Sequence, residues 1–352
     1  MSKTPTIHDL AADLGISATT VWRAFKGSDR ISDATRGRIL ARAKQIGYVP
    51  SLVAQNLSDG RTRTLGVVVP MVGHPVFSSL IGSIEEVAFE RGYSIILCDT
   101  RLDVGREAEY ARMLLSRRVE GVVVVPFAKR TEKWDDHLVA LQKRNIPVVL
   151  LEQDLPTNRF AKVVADNLGA AYEVTRHLIG LGHRRIAFAF HPVHDWDPVG
   201  QERLAGFRKA MAEAGLAKKA VEILDAFAFE GEQVWRYQPE RIAACFGRGD
   251  RPTALFAGMD MLAIQAMETL RSLGLRSPED VAVAGFDDVE FSRFTHPPLT
   301  TVAQPTAAMG RRAAAILFDR IEGKPGARAK APVERLPCRL IVRGSSVSQT
   351  TP

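Results

Sequence analysis

Within the first fifty positions apolar residues recur three times at helical spacing, and each run is bounded by a capping hydroxyl and a glycine. Ile7, Leu10, Ala11 and Leu14 share one helical face behind Thr6 and Asp9, a loose capping box, and Gly15 supplies a left-handed stop. Ser17 caps a second run in which Val21, Ala24 and Phe25 face inward. Thr19, Trp22, Arg23 and Lys26 then lie on the other side, and Gly27 ends the helix. Ser32 caps a third run, with Ile39, Ala43 and Ile46 on its inner face and Gly47 as its stop. The same periodicity alone would suit an ordinary small helical bundle. A short turn carrying Gly15 and a basic outer face on the second helix predict instead a helix-turn-helix that lays a helix in a DNA groove.

Residues 51–60 follow Pro50, end in glycine and are too short to hold as an isolated helix in water, so this segment is expected to fold with a partner. After it the period changes. Apolar runs at 65–69, 95–98, 122–125, 148–151, 186–190, 254–257 and 281–284 read as buried strands, and amphipathic stretches at 79–91, 106–117, 170–181, 203–214 and 261–273 read as helices. Continuous apolar strands between helices predict an α/β fold of parallel sheets covered on both faces. So many strands suit two doubly wound lobes better than one sheet, with a ligand cleft outside the carboxyl ends of the strands.

Charge sharpens the contrast between the two regions. Through Arg63 the chain carries ten basic residues against five acidic ones, +5 of its overall +7, which leaves +2 for everything beyond. A concentrated positive end suits a polyanion such as DNA. Cys98, Cys245 and Cys338 are far apart and unpaired in spacing, so neither a disulfide framework nor a zinc site is expected, and a reducing cytoplasm fits. No stretch reaches the length of a membrane span and no apolar signal core opens the chain. The last residues, 344–352, are expected to fray.

Catalytic chemistry is sparse. Gly323-Lys324-Pro325-Gly326 follows a helix and lacks the spacing of a phosphate loop. The loop 191–197 holds His191, His194, Asp195 and Asp197, which a metal would accept as ligands; without fixed helical geometry, a ligand-contact loop is the simpler reading. Asp287 and Asp288 look like an acid/base pair, yet adjacent side chains usually diverge, and one carboxylate accepting hydrogen bonds from a ligand explains the site more simply. No enzyme, metal or cofactor is expected.

Longer strings carry a family likeness. Ile7-His8-Asp9-Leu10-Ala11, Gly15 through Arg23, Ala54-Gln55-Asn56-Leu57, Gly60 through Val67, His177 through Ala187, Arg203 through Phe207, Gly285-Phe286-Asp287-Asp288, Pro297 through Val302 and Gln304-Pro305 occur in order over nearly the whole chain. In these the chain resembles the lactose-repressor (LacI/GalR) family of transcription regulators.

The resemblance implies a DNA-binding headpiece (1–49), a hinge helix and linker (50–63) and an effector-binding, dimerising core (64–343) like periplasmic sugar-binding proteins. Its lobes, crossed three times by the chain, would take about 64–162 with 291–321, and about 163–290 with 322–343. It also implies a symmetric homodimer reading a near-palindromic operator, with no leucine heptad at the C-terminus to make tetramers. Ala18, Thr19 and Arg23 match base-reading positions, with Ser17 and Trp22 beside them; Trp22 replaces a small residue of the family. Leu57 matches the hinge wedge in the minor groove, with Ala54 packed next to it. Arg203 and Asp287 match effector-binding positions. Phe77 and Trp196 would stack on a sugar's apolar face, although Trp196 equally suits a lobe-packing role. Met259, His74 and Glu152 depart from the residues common at their places, which leaves the effector open between a sugar and a non-sugar such as a nucleobase.

Overall fold

A computed structural model describes residues 5–49, 61–126, 134–193, 197–223, 225–230, 234–324 and 331–347. The chain divides into two compact units, Met1–Arg63 and Thr64–Pro352.

In the first unit α1 (Ile7–Leu14), α2 (Ala18–Phe25) and α3 (Asp33–Ile46) each begin where a side-chain oxygen meets an uncapped amide. The Thr6 hydroxyl accepts from the Asp9 amide at 3.3 Å while Asp9 accepts the Thr6 amide at 2.8 Å, so the capping box is complete. Gly15 ends α1 at φ 66°, where a residue with a Cβ would be strained. Leu10, Ala11, Val21, Ala24, Ile39 and Ala43 form the core, and Tyr48 closes it edge-on against Phe25 at 5.7 Å.

The second unit opens with β1 (Thr64–Val69), α4 (Pro75–Glu90), β2 (Ser94–Asp99), α5 (Val104–Ser116), β3 (Gly121–Val124), α6 (Asp136–Lys143), β4 (Val148–Leu151) and β5 (Ala161–Ala165). A second group follows: α7 (Asn167–Gly180), β6 (Ile186–Ala189), α8 (Pro198–Glu213), β7 (Ala220–Ile223), the hairpin strands β8 (Phe227–Glu230) and β9 (Val234–Tyr237), α9 (Pro239–Phe246), β10 (Ala254–Ala257), α10 (Asp260–Ser272) and β11 (Ala282–Ala284). The chain then runs through β12 (Thr301–Ala303), α11 (Thr306–Ile321), β13 (Val333–Leu336) and β14 (Arg339–Ile341).

Two parallel sheets result, ordered β13-β5-β4-β3-β1-β2 in lobe one and β11-β10-β6-β7 in lobe two. The valine- and alanine-rich inner strands β3, β4, β5, β6 and β10 are buried on both faces, as helix-covered parallel sheets require. Lobe two adds a phenylalanine cluster, with Phe188 5.4 Å from Phe207 and 5.2 Å from Phe256. Gly206 brings α8 onto α7 so closely that a Cβ there would lie 2.3 Å from the Leu168 carbonyl.

Three lobe boundaries differ from the expected ones. β5 finishes in lobe one, so the first crossing falls at Asp166 rather than at 162. Residues 291–303 belong with lobe two, because β12 pairs with β14 and the Gly285 amide donates to the Thr300 carbonyl at 2.8 Å; the chain crosses back at Gln304-Pro305. β13 then extends the lobe-one sheet beside β5, and the third crossing follows at Pro337-Cys338. β5 escaped notice because its sequence holds a lysine. Lys162 is buried with its ammonium on Asp154 Oδ1 (2.8 Å) and the Leu155 carbonyl (2.6 Å), which satisfies the charge inside the sheet.

The expected fraying does not begin at 344. The Ser345 hydroxyl donates to the Val283 carbonyl at 2.6 Å and accepts the Thr300 amide at 2.8 Å, and Ser346 meets Thr300 Oγ1 at 2.7 Å. This pins the chain end to lobe two through 347, the last described residue. No described helix is long and apolar enough to cross a membrane.

Candidate functional site

Two surfaces carry the candidate residues, one in each unit. On α2 the Ser17 hydroxyl accepts the Thr20 amide at 3.1 Å and meets Thr20 Oγ1 at 2.9 Å, so it is engaged in capping. Ala18 is half-buried against the three-helix core and Thr19 is exposed. The Trp22 indole is half-buried, with the Lys26 ammonium 5.5 Å from its ring centroid. Arg23 is half-exposed, and its guanidinium makes no hydrogen bond or ion pair among the described residues. Nearby arginines differ: Arg36 is tied to Asp33 and the Ser28 carbonyl, and Arg42 to Asp13. Ala54 and Leu57 lie outside the described residues.

The second surface is a cavity of about 460 Å³ between the two lobes, at the carboxyl ends of β1, β3 and β4 on one side and β6, β10 and β11 on the other. His74, Phe77, Glu152, Arg203, Met259 and Asp287 all line it, although they come from five separate stretches of sequence. Trp196 lies outside the described residues.

Arg203, in the second turn of α8, is fixed before any ligand arrives. Its Nε donates to Asn167 Oδ1 at 2.9 Å and its Nη1 to the Gly258 carbonyl at 2.6 Å, while its face stacks 3.8 Å from the Phe286 ring centroid. Asp287 Oδ1 lies 3.6 Å from Nη1 and accepts from Gln304 Nε2 at 2.7 Å. The backbone at Asp287 and Asp288 holds φ 128° and 51°, and this turns the two carboxylates apart. Asp288 faces away and accepts from Arg343 at 2.5 Å, so the two aspartates do not act as a pair.

Burial dominates the electrostatics. The Glu152 carboxyl is pushed up to about 7 by burial, with Arg203 opposing the rise and Asp287 adding to it. Burial raises Asp287 against the pull of Arg203 and His74, and lowers His74 against the pull of Asp287. Asp260, behind the cavity wall, is raised by burial and by Asp287; it accepts from Thr301 Oγ1 at 2.5 Å and from the Val289 amide at 2.9 Å.

The polar atoms left over are concentrated here. His74 Nδ1, Glu152 Oε1, Gln153 Oε1, Asp197 Oδ2, Gln265 Oε1 and Gln304 Oε1 are buried without a hydrogen-bond partner among the described residues, and all six side chains line the cavity. Buried polar groups are nearly always paired, so such a concentration marks a space built around a ligand. Sequence reasoning missed Gln153, Gln265, Gln304 and the place of Asp197 in the cavity lining. Gln304 stood within the quoted Gln304-Pro305, and Asp197 within the loop 191–197. Asp197 caps α8 through the Gly200 amide at 3.0 Å, and no group of metal-ligating residues is found among the described residues.

The comparisons with known proteins find likenesses in both units. Residues 6–51 match the bacterial regulatory proteins of the lacI family, and residues 175–346 match the periplasmic binding protein-like domain. The chain is 33% identical over 322 residues to the HTH-type transcriptional repressor PurR of Photobacterium profundum, covering 91% of this chain and 92% of that protein. The chain belongs to the LacI family. Among solved structures, a lac repressor dimer bound to operator and the anti-inducer ONPF superposes with a TM-score of 0.84 at 25% identity, over 98% of this chain and 100% of that one. A complex of the transcriptional regulator CelR with cellobiose superposes at 0.66 with 29% identity, over 97% and 100%. As a LacI-family member the protein is a DNA-binding transcriptional regulator and not an enzyme.

Proposed function

We propose that the protein is a homodimeric operator-binding repressor whose DNA affinity is set by a sugar or sugar derivative held between the lobes. The observation that carries this reading is the cluster of six buried, unpartnered polar atoms around one cavity. A polyhydroxyl ligand supplies donors to those acceptors, and the phenylalanines of the wall meet its apolar faces. The likeness to the cellobiose complex of CelR supports a carbohydrate. A flat nucleobase is the second reading, favoured by four phenylalanines in the lining: Phe77, Phe190, Phe227 and Phe291.

On the DNA side, Thr19 and Arg23 would read base edges while Trp22 packs against sugar and backbone, and Ala54 with Leu57 would wedge the minor groove at the operator centre. Ligand binding then changes operator affinity only through its differential affinity for the lobe arrangements of the dimer. A thermal-shift screen of sugars, sugar derivatives and nucleobases, repeated as operator gel shifts, tests the reading. A true effector at about 100 times its dissociation constant stabilises the core by about 2.7 kcal/mol and changes operator affinity. A stabilising ligand that leaves operator binding unchanged would refute the regulatory role.

A further inference from the structure

Five of the six atoms left unpaired around the cavity are carboxyl or amide oxygens. Glu152 and Asp197 are 6% exposed and Gln304 is 8% exposed. Asp197 gives Oδ1 to the Gly200 amide, and its Oδ2 carries no hydrogen bond but lies 3.7 Å from His191 Nε2. Gln304 gives its amide nitrogen to Asp287, so its Oε1 can only accept, and Glu152 Oε1 is open as well. All three side chains line the same cavity.

Charge points the same way. The lining holds the carboxyls of Glu152, Asp197 and Asp287, and Arg203 is the single lysine or arginine among its described residues. That guanidinium already serves Asn167, the Gly258 carbonyl and Asp287. An incoming phosphate or carboxylate would meet a single cation, two of whose three nitrogens are committed, set against three carboxyls, while a buried carboxylate without a counter-charge is costly. The three carboxyls are not equivalent. Asp287 has Arg203 and Gln304; Asp197 has the Gly200 amide and His191 Nε2 at 3.7 Å. Glu152 has no such neighbour in hydrogen-bond contact with Oε1. Its backbone is also held at φ 66°, a conformation glycine would adopt without strain, so an acidic side chain stands there against the backbone preference.

We propose that the effector is a polyhydroxyl compound bearing a protonated amine, that Glu152 receives the ammonium, and that phosphorylated or carboxylated ligands are rejected. This rests on the effector-cleft reading above and narrows it. The decisive experiment is isothermal titration of the full-length protein with glucosamine, galactosamine and mannosamine, their parent hexoses, their 6-phosphates, and adenine, guanine and hypoxanthine. At least one amine binds at least 10-fold more tightly than its parent, its phosphate binds at least 10-fold more weakly than the parent, and Glu152→Gln brings the amine's affinity down to the parent's. A melt of the variant checks that it folds, and the wild-type series stands without it.

An amine advantage that survives in a folded Glu152→Gln variant removes Glu152 from the assignment. If no amine binds, the assignment is wrong; should a neutral, phosphorylated or aromatic compound bind instead and alter operator affinity, the effector cleft outlives it. If none of the compounds binds and none alters operator affinity, both readings fall.

Discussion

The outer face of α2 and the cleft between the lobes both carry uncommitted polar groups, but in opposite settings. Arg23 is half-exposed, and its guanidinium makes no hydrogen bond or ion pair among the described residues. Glu152, Asp197 and Gln304 are more than nine-tenths buried, with open acceptors that the surrounding side chains do not fill. A headpiece of this kind gains its binding energy from an opposite charge at an exposed face, which salt weakens. The cleft has already been desolvated during folding, so a ligand there is rewarded for completing hydrogen bonds. The same difference sets the expected effect of mutation: changes on the outer face of α2 should alter binding and leave stability alone, whereas changes in the cleft should alter both.

Arg203 offers the largest break in this comparison. It is 4% exposed and joins Asn167, the Gly258 carbonyl, Asp287 and the Phe286 ring. Arg203→Met is expected to cost about 3 to 5 kcal/mol of core stability, since it strands Asp287 without its cation. Urea denaturation measures this, and a loss below about 1 kcal/mol would mean that the residue is held in place rather than holding.

Next in size is a pH effect. Burial raises the Glu152 carboxyl to about 7, so between the ordinary glutamate range and that value the folded chain keeps a proton the unfolded chain has lost. Its contribution to stability is complete below the unfolded value and is lost as pH rises through about 7, a decline on the order of 3 kcal/mol between pH 5 and 8. Melting curves across that window should show wild type falling and Glu152→Gln falling less. Parallel curves for the two proteins would remove Glu152 as the source.

Arg23→Ala tests the other side. It should reduce discrimination between operator and altered operators by about 1 to 3 kcal/mol in competition gel shifts, with the melting of the core unchanged. Unaltered sequence preference would take the base-reading role away from Arg23.

The two regions also differ in how far the sequence disclosed them. Thr6, Ser17 and Ser32 as caps and Gly15 and Gly47 as stops act within four residues of their own helices, so local rules located all three elements. The cleft depends on partners far apart in the chain. That Gln304 orients on Asp287, or that Lys162 turns a strand polar in sequence into a buried one by reaching Asp154, follows only once the sheets are assembled. The lobe crossings failed for the same reason: β13 has an exposed valine, a glutamate and an arginine, and nothing local says that it pairs with β5. His74, Phe77, Glu152, Arg203, Met259 and Asp287 were traceable to one cavity through the family resemblance, while periodicity alone showed only that a cleft should exist.

The smallest expected effect lies between the two regions, at the third crossing. Arg335, at the end of β13, donates to Asp154 Oδ2 of lobe one at 2.9 Å and to Glu202 of α8 in lobe two at 3.0 Å, and it also reaches the Ala165 carbonyl at 3.3 Å. Lys162 holds Asp154 from below, so the lobe-one end of this contact is anchored and any change of lobe angle falls on the Glu202 end. The side chains are between 23% and 36% exposed, and solvent screening limits their contribution to about 0.5 to 1 kcal/mol. Arg335→Met should therefore shift stability little, yet change the affinity of whatever ligand the cleft binds by about two- to fivefold, because ligand affinity includes the cost of the lobe arrangement it selects. Titration of wild type and variant with the same ligand decides it. Equal affinities would mean that lobe closure is set by the cleft side chains alone, and that the ion contacts at the crossing follow the motion without resisting it.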